Sequence, residues 1–348
     1  MDRITKVAHN HSLIITVLNE ASLLKNNSQL GLFFVSTAVF FWGILPIPLK
    51  LSGEFIDPVT LTWFRFFVAF LLTFLLQYFT GKTTEFSRLK YYDWIKLSLA
   101  ALFSIGNYVT FVYSLDHLSP GQAQLNFQTS PFFLAFGGML FFKEKLNPIQ
   151  MTCFVSLALG LMLFFHPSLN TSQNSSADTW LGILIVQFSV ISWTCYTLLQ
   201  KSIVQGLSPN NILFFIYGFG VIALLPFCDL ESFTVMDKNQ WLISLFCAFN
   251  TLVAYGSFAQ SIKYIPTTQV GSMVALTPII SFLSTFLVTE LGWWPDLIKG
   301  DHFDILTFIG IALVALSVAR IQLLPILITK RKITNSIPVE KSGATAEK

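Results

Sequence analysis

The stretch WGILPIPLKLSGEFIDP, residues 42–58, decides the fold when it is laid over WTCYTLLQKSIVQGLSP, residues 193–209. Trp42, Lys50 and Pro58 recur with identical spacing as Trp193, Lys201 and Pro209. Working outward, Trp94, Tyr108, Ser114, Gln122 and Pro131 return at one constant offset as Trp241, Tyr255, Ser261, Gln269 and Pro278. In a background of membrane-length apolar segments, such repetition points to two related halves of a membrane bundle, the construction of a carrier.

The chain has 348 residues, 53% hydrophobic and only 11% charged, so polar side chains are too few to clothe a soluble globule and lipid must solvate it. A spanning helix needs roughly 20 apolar residues. That ruler predicts ten spans, near 31–51, 59–79, 94–115, 121–142 and 148–166, then 180–201, 210–229, 241–262, 267–289 and 304–325. The organisation expected is an N-terminal segment 1–30, a first repeat 31–166, a flexible Asn/Ser/Thr-rich loop 167–179, a second repeat 180–325 and a tail 326–348. Five spans per half is odd, so the second copy enters the membrane upside down. Charge agrees: the loop after span two carries Lys82, Arg88 and Lys90, whereas its counterpart after span seven carries Asp229, Glu231, Asp237 and Lys238. The fold class expected is an all-α membrane protein of ten transmembrane helices in two inverted five-helix repeats. Basic residues concentrate in the loops of one face, which makes both termini cytoplasmic.

Short connections leave no room for a soluble catalytic domain. Cys153, Cys195, Cys228 and Cys247 lie singly in apolar runs, as small core residues, and no spacing suggests a metal site or a cofactor. No nucleophile with a base, and no paired acids, fall near the midplane, so an intramembrane enzyme is disfavoured. Residues 13–24 read as an interfacial amphipathic helix and the tail from Ile333 as disordered. Asn170 and Asn174 stand in glycosylation sequons, which matter only in a eukaryotic host.

The strings DPVTLTWFRFFVAFLLTFLL (57–76) and LGILIVQFSVISWTCYTLLQK (181–201), with the runs ending KEKL (143–146) and TEL (289–291), resemble the EamA-type drug/metabolite transporters over nearly all of 31–325. The resemblance implies a ten-helix bundle with a central cavity walled by the first, third and fourth helices of each repeat. It also implies a bacterial cytoplasmic membrane, and substrates ranging from amino acids and other metabolites to toxic organic molecules. Arg65 falls where the family commonly has an arginine, and Glu144 and Glu290 where it commonly ends the fourth span with glutamate. The tandem Pro46 and Pro48 depart from the family pattern.

The most polar run inside a predicted span is PGQAQLNFQTSP (120–131). Gln122, Asn126 and Thr129 share one helical face and are expected to line the cavity, with Gln124 and Gln128 on the other face as interhelical glue. Pro131 and Pro278 free the carbonyls of Phe127 and Val274 and are candidate hinges. Tyr108 and Tyr255, with Asn107, Trp42, Trp193, Tyr196 and Gln269, complete the expected substrate wall, aromatic with a few directed polar groups. Arg65 lies well inside span two and either fastens helix ends or attracts an anionic group; no second buried cation accompanies it, which favours fastening. His117 and His166 are peripheral, and every acid falls at a span end or in a loop, so no carboxylate proton relay is expected.

The function expected is alternating-access transport of a small organic metabolite, an amino acid or similar polar solute. Efflux of lipophilic cations lacks the buried acid it would need, and a receptor or scaffold could use the same bundle. Expected partners are a small-molecule substrate and the bilayer, with a homodimer left open and nucleic acid excluded.

Overall fold

The computed structural model describes residues 27–118, 120–166, 177–295, 297–298 and 304–336, and among them it contains helices and no strand. The expected interfacial helix at 13–24, the sequons at Asn170 and Asn174 and residues 337–348 of the tail lie outside the described residues.

Helix α1 (27–44) runs to Leu45, where Pro46 and Pro48 redirect it into the short α2 (Pro46–Ser52). Helix α3 (Pro58–Thr80) starts at a well-made cap. Asp57 accepts from the Val59 and Thr60 amides at 2.9 and 3.0 Å, Pro58 follows, and Gly81 ends the helix in the left-handed conformation at φ 64°. A 3₁₀ segment (Lys82–Arg88) leads to α4 (Tyr91–His117). Next come α5 (Pro120–Phe127) and α6 (Ser130–Phe142), broken at Gln128–Thr129 just ahead of Pro131, and α7 (Pro148–Phe164). The order then recurs: α8 (Ala177–Ile203), α9 (Pro209–Leu224), α10 (Lys238–Tyr264), the broken pair α11 (Thr267–Val274) and α12 (Thr277–Glu290), and α13 (Ile305–Ser336), which continues past the expected span end at 325.

Eight helical stretches are long and apolar enough to cross a membrane, and Pro148–Phe164 is a shorter apolar helix. The expected span 121–142 is instead two consecutive helices of 8 and 13 residues, because the chain turns where Pro131 withholds an amide from the ladder. Large apolar side chains such as Phe74, Tyr78, Phe136, Leu140, Leu184 and Phe188 face outward along these helices, a surface that only lipid solvates at low cost.

The two halves interleave. Helix α4 packs most extensively on α8, α7 on α13, α3 on α9 and α10, and α6 on α11. The central core joins Phe66 of α3, Tyr108 of α4, Trp193 and Tyr196 of α8, Tyr217 of α9 and Tyr255 and Phe258 of α10. A satellite core locks α7 to α13 through Phe154, Leu157, Val314 and Val318.

Candidate functional site

At the middle of the bundle, where α5 and α11 break, lies a cavity of about 70 Å³ walled by α1, α2, α3, α4, α5, α8, α10, α11 and the start of α12. Residues related by the internal repeat meet here. The rings of Trp42 and Trp193 are 6.0 Å apart and nearly perpendicular, and those of Tyr108 and Tyr255 are 4.7 Å apart. Trp42 also stands edge-on to Tyr255 at 5.1 Å. Such edge-to-face pairs contribute about 0.5–1.5 kcal/mol each beyond their burial and hold the rings in fixed planes. Phe127 and Val274, whose carbonyls are released by Pro131 and Pro278, both line the cavity.

Polar groups are fixed from behind. The Asn107 amide nitrogen donates to the Ser189 hydroxyl at 2.9 Å, Ser189 donates to the Asn107 carbonyl at 3.1 Å, and the Tyr255 hydroxyl donates to Asn107 Oδ1 at 3.3 Å. Arg65 does not reach for a helix end or the headgroups: it is 2% exposed, its Nε donates to Thr251 Oγ1 at 2.8 Å, and its guanidinium sits 4.7 Å from the Tyr108 ring centre. Among the described residues no Asp or Glu lines the cavity.

Of the residues expected from sequence, Trp42, Asn107, Tyr108, Trp193, Tyr255 and Arg65 come together on this wall. Tyr196 is buried one ring behind it, 6.3 Å from Tyr255. Gln269 is near the start of α11, its carbonyl held by Gln322 Nε2 at 2.9 Å, away from the cavity lining. The side chain of Gln122 lies outside the described residues. Asn126 and Thr129, assigned to the cavity, are not in its lining and bond to α8: the Asn126 backbone carbonyl accepts from Gln187 Nε2 at 3.0 Å and the Thr129 hydroxyl donates to Gln187 Oε1 at 3.1 Å. Gln124 and Gln128, expected as glue, line the cavity. The i, i+4, i+7 count ran across the break at Gln128–Thr129, where helical phase is lost. Thr277 was missed as well, although its pairing with Pro278 marked the position.

The two ends of the bundle differ. At the Lys50 end, spaces of about 410 and 530 Å³ adjoin the cavity and share Lys50, Leu115 and Asp116; Pro278 and Ser281 of α12 line the first. At the Glu144 end the helices are tied by polar bonds. Glu144 accepts from the Thr267 amide, the Thr268 amide and the Thr268 hydroxyl at 3.0, 3.2 and 2.7 Å. Glu85 accepts from the Ser208 amide and from Asn211 Nδ2 at 2.8 and 2.7 Å, Gln77 donates to Asn211, and Lys201 donates to the Ile265 carbonyl at 2.9 Å. Each carboxylate sits at a helix N-terminus, where free amides and the helix dipole favour it. His117 and His166, at the Lys50 end, pair with Asp178 and Asp304 at 2.7 and 2.8 Å.

The chain is similar to a group of bacterial proteins. It is 27% identical over 288 residues to the uncharacterized inner membrane transporter YhbE of Escherichia coli (strain K12), covering 82% of this chain and 89% of that one. An uncharacterized transporter of Haemophilus influenzae is 26% identical over 260 residues, covering 75% and 84%. A solved structure titled "Crystal structure of protein" superposes with a TM-score of 0.64 at 16% identity, covering 84% of this chain and 97% of that one, and shares the fold. The model of the EamA-like transporter family matches residues 29–166 and 180–323. This multi-pass membrane protein therefore belongs to the EamA-like transporter family.

Proposed function

We infer that this chain carries a small organic metabolite, an amino acid or a similar polar solute, across the bacterial inner membrane by alternating access. The reading takes the chain as two inverted repeats that together cross the membrane ten times, α5 with α6 forming one crossing and α7 another, and both termini cytoplasmic. One observation carries it: Trp42 with Trp193 and Tyr108 with Tyr255, equivalent by the repeat, converge on one cavity at the breaks of two helices. Broken helices at the junction of two repeats supply released carbonyls to a solute and joints for motion. The space open at the Lys50 end and the bonds closing the Glu144 end fit an outward-facing state of such a carrier. The aromatic groups and Asn107 are the substrate wall, and Pro131 and Pro278 the hinges.

Efflux of lipophilic cations fits less well, because the cavity holds Arg65 and no acid. Proteoliposomes preloaded with a cytosolic metabolite extract test the transport reading: time-dependent, protein-dependent release of particular solutes is expected, and none would sink it. Orientation has its own test. A cysteine placed within 82–90 should react only with reagents on the cytoplasmic side, and one within 168–176 only from outside; labelling of both from one side ends the inverted-repeat reading.

A further inference from the structure

We propose that the central cavity takes a small organic monocarboxylate, its carboxylate bound by Arg65 and its apolar body lying toward the Lys50 end. The charge is the first ground. Arg65 is buried, its Nε is used by Thr251, and among the described residues its two terminal nitrogens have no hydrogen-bond partner and no carboxylate within salt-bridge distance. Tyr108 beneath the guanidinium offsets only part of what an ion loses when it leaves water. A cation in this condition lacks an anion.

The neighbours are the second ground. Trp42 Nε1 and the Thr277 hydroxyl line the cavity, are buried and have no partner among the described residues, and the Tyr108 hydroxyl on the same wall neighbours Tyr255. Each can donate a hydrogen bond, and a carboxylate accepts on two oxygens with about four lone-pair directions. Gln128 Oε1 is an unpartnered acceptor on the same wall, suited to a hydroxyl or amide of the solute rather than to its charge. Asn107 and Gln124 also line the cavity, and the rest of the wall is mostly apolar, with Leu45, Leu49, Phe111, Val112 and Val274.

Stoichiometry and size narrow the class. Within the cavity one guanidinium with neutral donors balances one negative charge, so a dianionic phosphate head there would carry uncompensated charge; Lys50, Asp116 and His117 line the adjoining space. The cavity of about 70 Å³ holds a head group, and the adjoining space of about 410 Å³, which shares Pro46 and Gln124 with it, takes the body.

This rests on the carrier reading only in treating the ligand as cargo. The test uses the full-length protein in lipid nanodiscs and three probes of one body: 3-phenylpropanoate, 3-phenylpropanol and 3-phenylpropylamine. Quenching of tryptophan fluorescence, to which Trp42 and Trp193 report from the wall, gives the affinities. The carboxylate should bind about 10- to 100-fold tighter than the alcohol, and the amine weakest. In Arg65→Gln that preference should disappear. Equal binding of carboxylate and alcohol by the wild-type protein overturns the proposal without any variant, and so does a folded Arg65→Gln that keeps the preference. The two readings fail separately: carboxylate binding with no flux in proteoliposomes removes transport and leaves the site, whereas flux without carboxylate preference removes the site and leaves transport.

Discussion

The two ends of the bundle are built from equivalent pieces and hold them differently. At the Glu144 end, α6 and α11 pack closely, and Glu144 reaches across to the first amides of α11. At the Lys50 end the corresponding pair, α12 and α5, touch far less, and Glu290, which ends α12 as Glu144 follows α6, is exposed. One substitution between the repeats tracks the difference. Gly271 lets the Pro131 carbonyl come within 3.2 Å of where its Cβ would be, while its counterpart Gln124 fills the same place on α5 and lines both the cavity and the space beside it. The repeated sequence thus supplies equivalent pieces at both ends, and local side chains decide at which end they are tied.

Untying the Glu144 end should have the largest effect. Glu144→Ala deletes three charge-assisted hydrogen bonds at a helix start, each of about 1.5–3 kcal/mol before water replaces part of it, so the Glu144 end should open. In a protein freed of its four native cysteines, Ser272→Cys, a site buried here, should react with maleimide at least about tenfold faster once Glu144 is gone. An unchanged rate would show that packing alone closes this end.

Gly271→Ala comes next. Its new methyl meets the Pro131 carbonyl, and overpacking of this kind costs about 1–3 kcal/mol, read as a lower Tm with no loss of the aromatic site. On the proposed alternating-access reading the reciprocal change, Gln124→Gly, should let α12 approach α5 and slow the labelling of Ser281→Cys by about threefold. Faster labelling would mean that Gln124 helps to close that end rather than prop it open. The smallest effect is expected at Lys143, which turns the chain toward Glu144 at φ 55°; Lys143→Gly should stabilise the protein by up to about 1 kcal/mol in thermal unfolding.

Much of this was legible in residue spacing. Trp42, Trp193, Tyr108 and Tyr255 could be placed together because a repeat that folds twice brings equivalent positions toward one axis. The polar face of α5 could not, since the helix stops at Phe127 and the chain turns before α6, so a periodicity counted from Gln122 to Thr129 loses its phase. The direction of Arg65 was hidden for another reason. Depth in a span predicts what burial costs, but the hydroxyl that captures Nε belongs to Thr251, in the other half of the chain. Gln269 lines up with Gln122 in sequence and still falls outside the cavity lining, because it belongs to the first turn of α11, which Gln322 of α13 clamps.

The interleaving of the halves bears on how the chain is made. Helices α3, α4, α6 and α7 are all synthesised before the helices they chiefly pack against, α9, α8, α11 and α13. Until those emerge, the nascent first half must wait in the bilayer with its polar faces, including Arg65 and Asn107, lacking their partners Thr251 and Ser189. Assembly therefore depends on contacts between residues far apart in sequence, a slow step that exposes unfinished surfaces to other chains. A first half expressed alone is expected to be degraded, and to be rescued when the second half is supplied as a separate chain.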